Sequence, residues 1–146
     1  MNLNLWHLYL RKKTVYVPTV AQTEAGYFMD IDPVEVIPVT ESEVIQRAIM
    51  AVINKGNPIV ATPTRANFPT PVVLKYANVK TWSAFEKGTL SWTIERKSGN
   101  YQIRPKPDRG NQGSGEDATQ IDLLPPGTGP DGLARRIIAS IQGQLT

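Results

Sequence analysis

The segment from Thr89 to Pro105 constrains the fold of this chain more than any other stretch. Before a Ser98-Gly99 pair, apolar residues occupy every second position among polar ones: Leu90, Trp92 and Ile94. Alternation with a period of two is typical of a strand with one buried face, and a Ser-Gly pair suits a tight turn. The segment therefore predicts an antiparallel hairpin that sets Ile94 opposite Ile103 and Arg96 opposite Tyr101.

Further strands are predicted closer to the N-terminus. Residues 3–10 carry apolar side chains on both sides, as in an interior strand, and the basic turn at residues 11–13 connects them to the β-branched stretch TVYVPTV. The following GYFMDIDPVEVIPV predicts one or two more strands, with Pro33 and Pro38 as breakers or edge markers. We also expect a strand in PVVLKYA, residues 71–77, and a short final strand in TQIDLLPPG.

Two helices are predicted from apolar residues at helical spacing. The first runs from about Glu41 to Lys55, because Thr40 and Glu43 form a capping box and Gly56 supplies a stop. The second runs from about Gly132 to Leu145 and is capped by Asp131. Its apolar face consists of Leu133, Ile137, Ile138, Ile141 and Leu145.

Together these elements predict a single α+β domain over residues 1–146, in which a mostly antiparallel sheet has two main helices packed against it. Trp82 and Phe85, three residues apart, predict a short helical turn anchored on the sheet. A Gly-rich polar run around residues 106–118 is expected to be a flexible loop. The predicted core consists of Trp6, Leu8, Val15, Val17, Val44, Ile45, Ala48, Ile49, Val52, Leu74, Trp92, Ile94, Ile103, Ile137 and Ile141.

Composition excludes several classes of function. The chain contains no cysteine, which excludes disulfides, thiolate catalysis and cysteine-ligated zinc. The sequence shows neither a signal-like leader nor an apolar run of membrane length, so we expect a cytoplasmic protein. The run GNQGSGED lacks the lysine and the Ser/Thr of a phosphate-binding loop, and we expect no cofactor.

Acidic and basic residues are unevenly distributed along the chain, whose formal net charge is +3. From Thr14 to Gln46 there are six acidic residues and neither a lysine nor an arginine. Such a polarised chain presents an acidic and a basic face that can steer a charged partner, unless the charges intermix once the chain folds.

The candidate catalytic or metal-binding residues are His7, Asp30 and Asp32. His7, the only histidine, is a general base if a nucleophile and an orienting carboxylate lie beside it in the fold. Asp30 and Asp32 project from the same face of one strand, as a cation site or an acid–base pair requires, but the calcium-loop spacing does not follow. We therefore predict no metal site and no catalytic residue. A hydrolase that uses His7 with Asp30 or Asp32 is the rival hypothesis.

Basic and aromatic residues interleave between positions 75 and 109, as on surfaces that stack bases and neutralise phosphates. The aromatic members are Tyr76, Trp82, Trp92 and Tyr101. The basic members are Lys75, Lys80, Lys87, Arg96, Lys97, Arg104, Lys106 and Arg109. A single-stranded nucleic-acid-binding domain is therefore the alternative to a protein-binding one, although the sequence has no RNP-like, helix-turn-helix or zinc-finger pattern.

Three stretches together resemble the small immunity proteins of bacterial contact-dependent growth inhibition systems. They are the strand block WHLYLRKKTVYVPTVAQTEAGYFMDIDPVEVIPV, the capped helix, and VLKYANVKTWSAFEKGTLSWTIERKSGNYQI, and the likeness covers about residues 6–103. The resemblance implies a non-catalytic cytoplasmic protein that binds and neutralises one cognate toxin domain, often a nuclease. Because a nuclease toxin is usually basic, we assign the partner contact to carboxylates of the acidic segment. They are Glu24, Asp30, Asp32 and Glu35.

Overall fold

A seven-stranded sheet forms the centre of the structure, a computed structural model that describes residues 3–106 and 121–145. The strands are β1 (Leu3–Arg11), β2 (Thr14–Thr23), β3 (Phe28–Pro38), β4 (Ile59–Val60), β5 (Thr89–Lys97), β6 (Asn100–Lys106) and β7 (Asp122–Leu123). Their order is β3-β2-β1-β5-β6-β7, and β4 pairs with β2 outside this order. The β2–β4 pair is parallel and the others are antiparallel, which confirms the predicted mostly antiparallel sheet.

The predicted β5–β6 hairpin is confirmed, and β1 and β2, which the sequence connects by the basic turn, form a second hairpin. In the β5–β6 hairpin, Ile94 lies opposite Ile103 and Arg96 lies opposite Tyr101. Its turn residues Ser98 and Gly99 have φ angles of 54° and 81°, as a two-residue turn of this kind requires. β1 pairs with β2 through the turn at residues 12–13 and with β5 along its whole length, so the two hairpins lie side by side.

The helices are α1 (Ser42–Lys55), α2 (Val73–Ala77), α3 (Trp82–Glu86) and α4 (Pro130–Leu145), with a 3-10 turn at Arg65–Asn67. α1 and α4 confirm the two predicted main helices, and α3 confirms the predicted short turn. The predicted capping box is wrong, because the N-cap residue is Glu41 and its side chain makes no capping hydrogen bond. α4 begins at Pro130, where proline suits the first helical position, so Asp131 lies inside the first turn.

The predicted strand at residues 71–77 is wrong, since most of it forms helix α2. The Leu74 backbone N–H donates to the Pro71 carbonyl at 3.2 Å, which begins a helical turn, and Asn78 ends it in the left-handed conformation with φ 59°. Val73 and Leu74 are buried against the sheet rather than paired within it. The strand preference of the β-branched Val72 and Val73 therefore yields to tertiary packing.

The larger core lies between α1, α4 and one face of the sheet, here called the inner face. It contains Trp6, Leu8, Val15, Val17, Ile45, Ala48, Ile49, Val52, Trp92, Ile94, Ile103, Ile137 and Ile141, all of which the sequence predicted. Val44, also predicted, is half-buried beside it. The Trp92 indole N–H donates to Ser140 Oγ at 2.9 Å and so ties α4 to β5.

A second, smaller core covers the opposite face of the sheet, here called the outer face. It consists of Tyr9, Tyr16, Val34, Val73, Leu74 and Phe85, so the predicted core residue Leu74 belongs to this layer. Arg11 is 8% exposed and donates to the carbonyls of Phe85 at 3.1 Å and Lys87 at 2.5 Å. These hydrogen bonds fix the end of α3 to β1, and the sheet carries helices on both faces.

The predicted flexible loop around residues 106–118 lies outside the described residues, apart from Lys106 at the end of β6. Within residues 3–106 and 121–145, no helix combines the length and the apolar character needed to cross a membrane.

A candidate partner-binding surface

His7, Tyr9 and Asp30 form a hydrogen-bonded cluster beside the outer-face core. His7 Nδ1 lies 2.6 Å from Asp30 Oδ1, and the Tyr9 hydroxyl donates to Asp30 Oδ2 at 2.6 Å. The Asp30 side chain is 10% exposed and that of His7 is 27% exposed. Because a carboxylate only accepts hydrogen bonds, Nδ1 carries the proton in this contact. The contact fixes the imidazole ring and leaves Nε2 without a hydrogen bond to any described residue.

Tyr9 links this cluster to the aromatic side chains of α3. Its ring packs edge-on against Phe85 at 5.3 Å and against Trp82 at 6.0 Å between ring centroids. Burial, followed by the nearby Asp30 carboxylate, raises the pKa of the Tyr9 hydroxyl well above its ordinary value. Tyr9 therefore stays protonated and remains a hydrogen-bond donor to Asp30 at any physiological pH.

Asp32 binds two side chains of α2. The Lys75 ammonium donates to Asp32 Oδ2 at 2.7 Å, and the Tyr76 hydroxyl donates to Oδ1. These two hydrogen bonds, that of Lys75 first, lower the pKa of the Asp32 carboxyl below its ordinary value. The same contacts raise the pKa values of Lys75 and Tyr76. All three groups thus keep their usual charge states at neutral pH.

Glu24 and Glu35 lie apart from these contacts. Glu24 is exposed in the turn between β2 and β3, and Glu35 is exposed on β3 opposite Val17. Glu35 lines a groove of about 280 Å³ together with Arg47 and Lys55 of α1. Neither carboxylate forms an ion pair with a described residue. The four assigned carboxylates therefore form one neighbouring pair on β3 and two separate groups.

The four aromatic residues of the basic–aromatic stretch divide into two classes. Trp92 is 2% exposed and Tyr101 is 5% exposed, and both belong to the inner-face core. Tyr76 and Trp82 are 38% and 37% exposed. The Trp82 ring stacks on Phe85 at 5.3 Å between centroids, so its position is fixed while part of it stays in solvent. Only these two can meet a partner's surface.

We call His7, Asp32, Lys75, Tyr76 and Trp82 the aromatic–acidic surface, since they surround the contacts just described. A histidine oriented by a carboxylate is one component of acid–base catalysis. Protein-binding surfaces often combine exposed tryptophan and tyrosine side chains with charged groups, as this surface does. Among the residues that the structure describes, no three His, Cys, Asp or Glu side chains gather in a way that could hold a metal ion.

Sequence reasoning named His7 with Asp30 or Asp32 as a possible pair, but it missed the contacts of Tyr9 with Asp30 and of Lys75 and Tyr76 with Asp32. His7 and Tyr9 lie two apart on β1, a spacing that places them on the same face, so part of the cluster carried a signal. Their contact with Asp30 depends on the β2–β3 register, which shifts between Pro18 and Thr19. The alternation of apolar and polar residues does not reveal such a register shift. It also does not predict helix α2, which brings Lys75 and Tyr76 to Asp32.

Comparisons with known proteins identify the fold only. No family model matches the sequence, and no curated protein matches it. Among solved structures, the chain is similar to a protein of unknown function, NMB0488, from Neisseria meningitidis, with a TM-score of 0.63 and 12% sequence identity. The similarity covers 96% of this chain and 95% of that one. At this identity the likeness extends to the arrangement of strands and helices, and it carries no statement about activity.

Proposed function

We propose that this chain is a non-catalytic cytoplasmic protein that binds and neutralises one cognate toxin domain, as the resemblance to immunity proteins implies. The observation that carries the proposal is the aromatic–acidic surface. There Tyr76 and Trp82 are each more than a third exposed, and both are held by contacts within the chain. Tryptophan and tyrosine dominate the binding energy of many protein interfaces. Fixing them before association reduces the entropy lost when the partner binds.

Electrostatics favours a basic partner, such as a nuclease domain. Glu24 and Glu35 are exposed without an ion pair to a described residue, and the lowered pKa of Asp32 keeps that carboxyl ionised. Glu24 and Glu35 speed association with a basic surface, and added salt weakens the effect, while the charge of Asp32 is offset by Lys75. Asp30 is 10% exposed, so its proposed role is to position His7 and Tyr9 rather than to touch the partner.

The direct test is co-expression with the terminal toxin domain encoded by the neighbouring upstream reading frame, scored by growth rescue and by co-purification. We expect rescue and a complex, and we expect Trp82→Ala to weaken the complex about 30-fold, the loss of a single hot-spot residue. Leu123→Ala is the matched control, because Leu123 is 70% exposed but lies on β7, at the opposite edge of the sheet from β3. Cell death together with the absence of any complex would refute the proposal.

A hydrolase is the second candidate, and the His7–Asp30 contact favours it. The carboxylate that a general base needs is in place at 2.6 Å. A broad hydrolase screen on the wild type, His7→Ala and Asp30→Asn separates the two classes. Turnover that disappears in both variants while their thermal unfolding is unchanged would replace the binding protein by an enzyme.

The nucleic-acid alternative has two exposed aromatic residues for stacking, Tyr76 and Trp82, since Trp92 and Tyr101 are buried. Lys75, beside them, already pairs with Asp32. Binding of a single-stranded oligonucleotide that weakens steeply with salt and is lost in Trp82→Ala would support this alternative.

A further inference from the structure

The turn between β1 and β2 holds two lysines in a backbone conformation that disfavours them. Arg11 pairs with Thr14, so Lys12 and Lys13 form a two-residue turn, and their φ angles are 50° and 63°. A two-residue turn of this kind requires positive φ at both positions, and asparagine followed by glycine suits it best. In a lysine the Cβ atom crowds the following carbonyl oxygen at such φ values. Two disfavoured residues in one turn point to a role for their side chains.

The positive charge around this turn has no counter-charge among its direct contacts. Lys12, Lys13 and Lys87 are exposed, and none of them forms an ion pair with a described residue. Lys87 lies beside the turn, because its carbonyl accepts a hydrogen bond from the Arg11 guanidinium at 2.5 Å. Arg11 is 8% exposed, and its other acceptors are a second carbonyl and a hydroxyl, which carry no charge. We call Arg11, Lys12, Lys13 and Lys87 the basic turn cluster.

The carboxylates near the cluster do not cancel its charge. Glu86 pairs with Lys106 at 3.1 Å, so these two charges offset each other. Glu41 and Glu43 lie at the start of α1, on the side of Lys13, whose carbonyl accepts a hydrogen bond at 2.9 Å from the backbone two residues before Glu41. Counting both of them against the four cations of the cluster leaves an excess of positive charge. Such an excess attracts an anionic partner.

An aromatic stack connects the cluster to an exposed tryptophan. The Arg11 guanidinium carbon lies 5.8 Å from the centroid of the Phe85 ring, and the Trp82 ring stacks on Phe85 at 5.3 Å between centroids. Phe85 is fully buried and holds the stack in place, while Trp82 is 37% exposed. In proteins that bind single strands, bases stack on aromatic rings and nearby cations contact the phosphates. A base carries no charge, so the carboxylates of the aromatic–acidic surface do not repel it.

From these observations we infer that the basic turn cluster and Trp82 bind a single-stranded nucleic acid. Lys12, Lys13 and Lys87 contact phosphates and Trp82 stacks on one base, while Arg11 adds positive potential from its buried position. A duplex is a poorer ligand because its bases already stack on one another, and an acidic protein has no base to place on Trp82. This activity goes beyond the proposed toxin binding and uses none of the carboxylates assigned to the toxin.

The test measures the fluorescence anisotropy of a fluorescein-labelled oligothymidylate strand as the intact protein is added, at a series of salt concentrations. We expect saturable binding whose logarithmic affinity falls with the logarithm of the salt concentration at a slope of about −2. This slope corresponds to about 0.7 for each of three lysine–phosphate contacts. A duplex of the same length, poly-glutamate and vesicles that contain phosphatidylserine are the parallel arms, and we expect each to bind more weakly.

The double variant Lys12→Asn/Lys13→Gly separates the side chains from the turn that carries them. Asparagine and glycine suit this turn better than two lysines, so the midpoint of thermal unfolding should rise. Affinity for the strand should nevertheless fall about 25-fold at about 0.1 M salt, since two phosphate contacts are lost. A protein that is more stable and binds more weakly shows that the lysines serve binding rather than folding.

Lys87→Gln and Lys97→Gln are a matched pair, because each removes one charge from an exposed lysine without an ion pair to a described residue. Lys97 lies at the end of β5 far from the turn, so its variant should change affinity less than about twofold, whereas Lys87→Gln should weaken binding about fivefold. Trp82→Leu should weaken binding about tenfold and leave the salt slope unchanged, because stacking involves no charge.

Three results would overturn the inference. They are the absence of saturable binding, an equal loss of affinity in Lys87→Gln and Lys97→Gln, and tighter binding of poly-glutamate or of the vesicles than of the strand. The last result would assign the cluster to an acidic protein or to a membrane surface instead. No toxin domain enters this assay, so its outcome and that of the co-expression test are independent of each other.

Discussion

Replacing Trp92 by alanine tests the assignment of this residue to the core rather than to a stacking surface. Trp92 is 2% exposed in the inner-face core, and its indole N–H donates to Ser140 on α4. A buried tryptophan-to-alanine change of this kind lowers the free energy of unfolding by about 3–5 kcal/mol. The measurement is urea unfolding followed by far-UV circular dichroism, since fluorescence itself changes when a tryptophan is removed.

Two controls separate burial from the loss of any aromatic ring. Trp82→Ala should cost only about 1 kcal/mol, the scale of its ring contacts with Tyr9 and Phe85. Ser140→Ala should lower the free energy of unfolding by about 1 kcal/mol in the wild type, because it removes the acceptor of the Trp92 N–H. In a Trp92→Phe background, which lacks that N–H, the same change should have almost no effect. A loss below about 1 kcal/mol for Trp92→Ala would contradict the burial argument and restore Trp92 as a stacking platform.

Two further predictions concern side chains that hold neighbouring elements together. The Asn57 side chain bridges β1 and β2 by hydrogen bonds to Leu5 N, Leu5 O and Val20 O at 3.2, 2.8 and 2.9 Å. Asn57→Ala should therefore lower the free energy of unfolding in urea by about 2–4 kcal/mol. The control Asn54→Ala, at an exposed position of α1, should change it by less than about 0.5 kcal/mol. Because the pKa of Asp32 is lowered in the folded chain, its contribution to stability is present above the unfolded-state pKa and is lost as the pH falls through the folded value. An NMR titration of the Asp32 carboxyl should find its pKa below the ordinary value. In the Lys75→Gln variant the Asp32 pKa should move back toward the ordinary value. An Asp32 pKa that is the same in both proteins would show that Lys75 does not cause the lowering.

The inner face of the sheet could be predicted because its pattern is local. The β5–β6 register follows from period-two alternation and one turn, and α1 and α4 follow from the helical spacing of their apolar residues, with a glycine stop after α1. In each case the apolar periodicity matches the element that forms. Trp92, Ile94 and Ile103 were placed correctly on these grounds.

The outer face could not be predicted, because it depends on contacts between distant segments. α2 has five residues, too few for periodicity to separate helix from strand, whereas the equally short α3 was predicted from the spacing of Trp82 and Phe85. Arg11 is buried because its guanidinium satisfies backbone carbonyls more than 70 positions further along the chain. The cluster of His7, Tyr9 and Asp30 likewise depends on a register shift within β2 and β3. The candidate site lies on this face, so the sequence suggested its carboxylates and His7 but not the contacts that Tyr9, Lys75 and Tyr76 make with them.

The fold also changes what the acidic segment means for binding. Side chains of β3 leave the strand on alternating faces, so Glu35 meets the groove beside Arg47 and Lys55, while Asp32 pairs with Lys75. A run of carboxylates that is continuous in sequence is therefore divided and partly neutralised in space. Affinity for a partner should then depend on Trp82 more than on any one carboxylate. In stopped-flow measurements with a toxin domain, neutralising Glu24 or Glu35 should slow association and reduce its salt dependence, while Trp82→Ala should mainly speed dissociation. The reverse pattern, with dissociation governed by the carboxylates, would place the binding energy on the acidic groups instead of the aromatic ones.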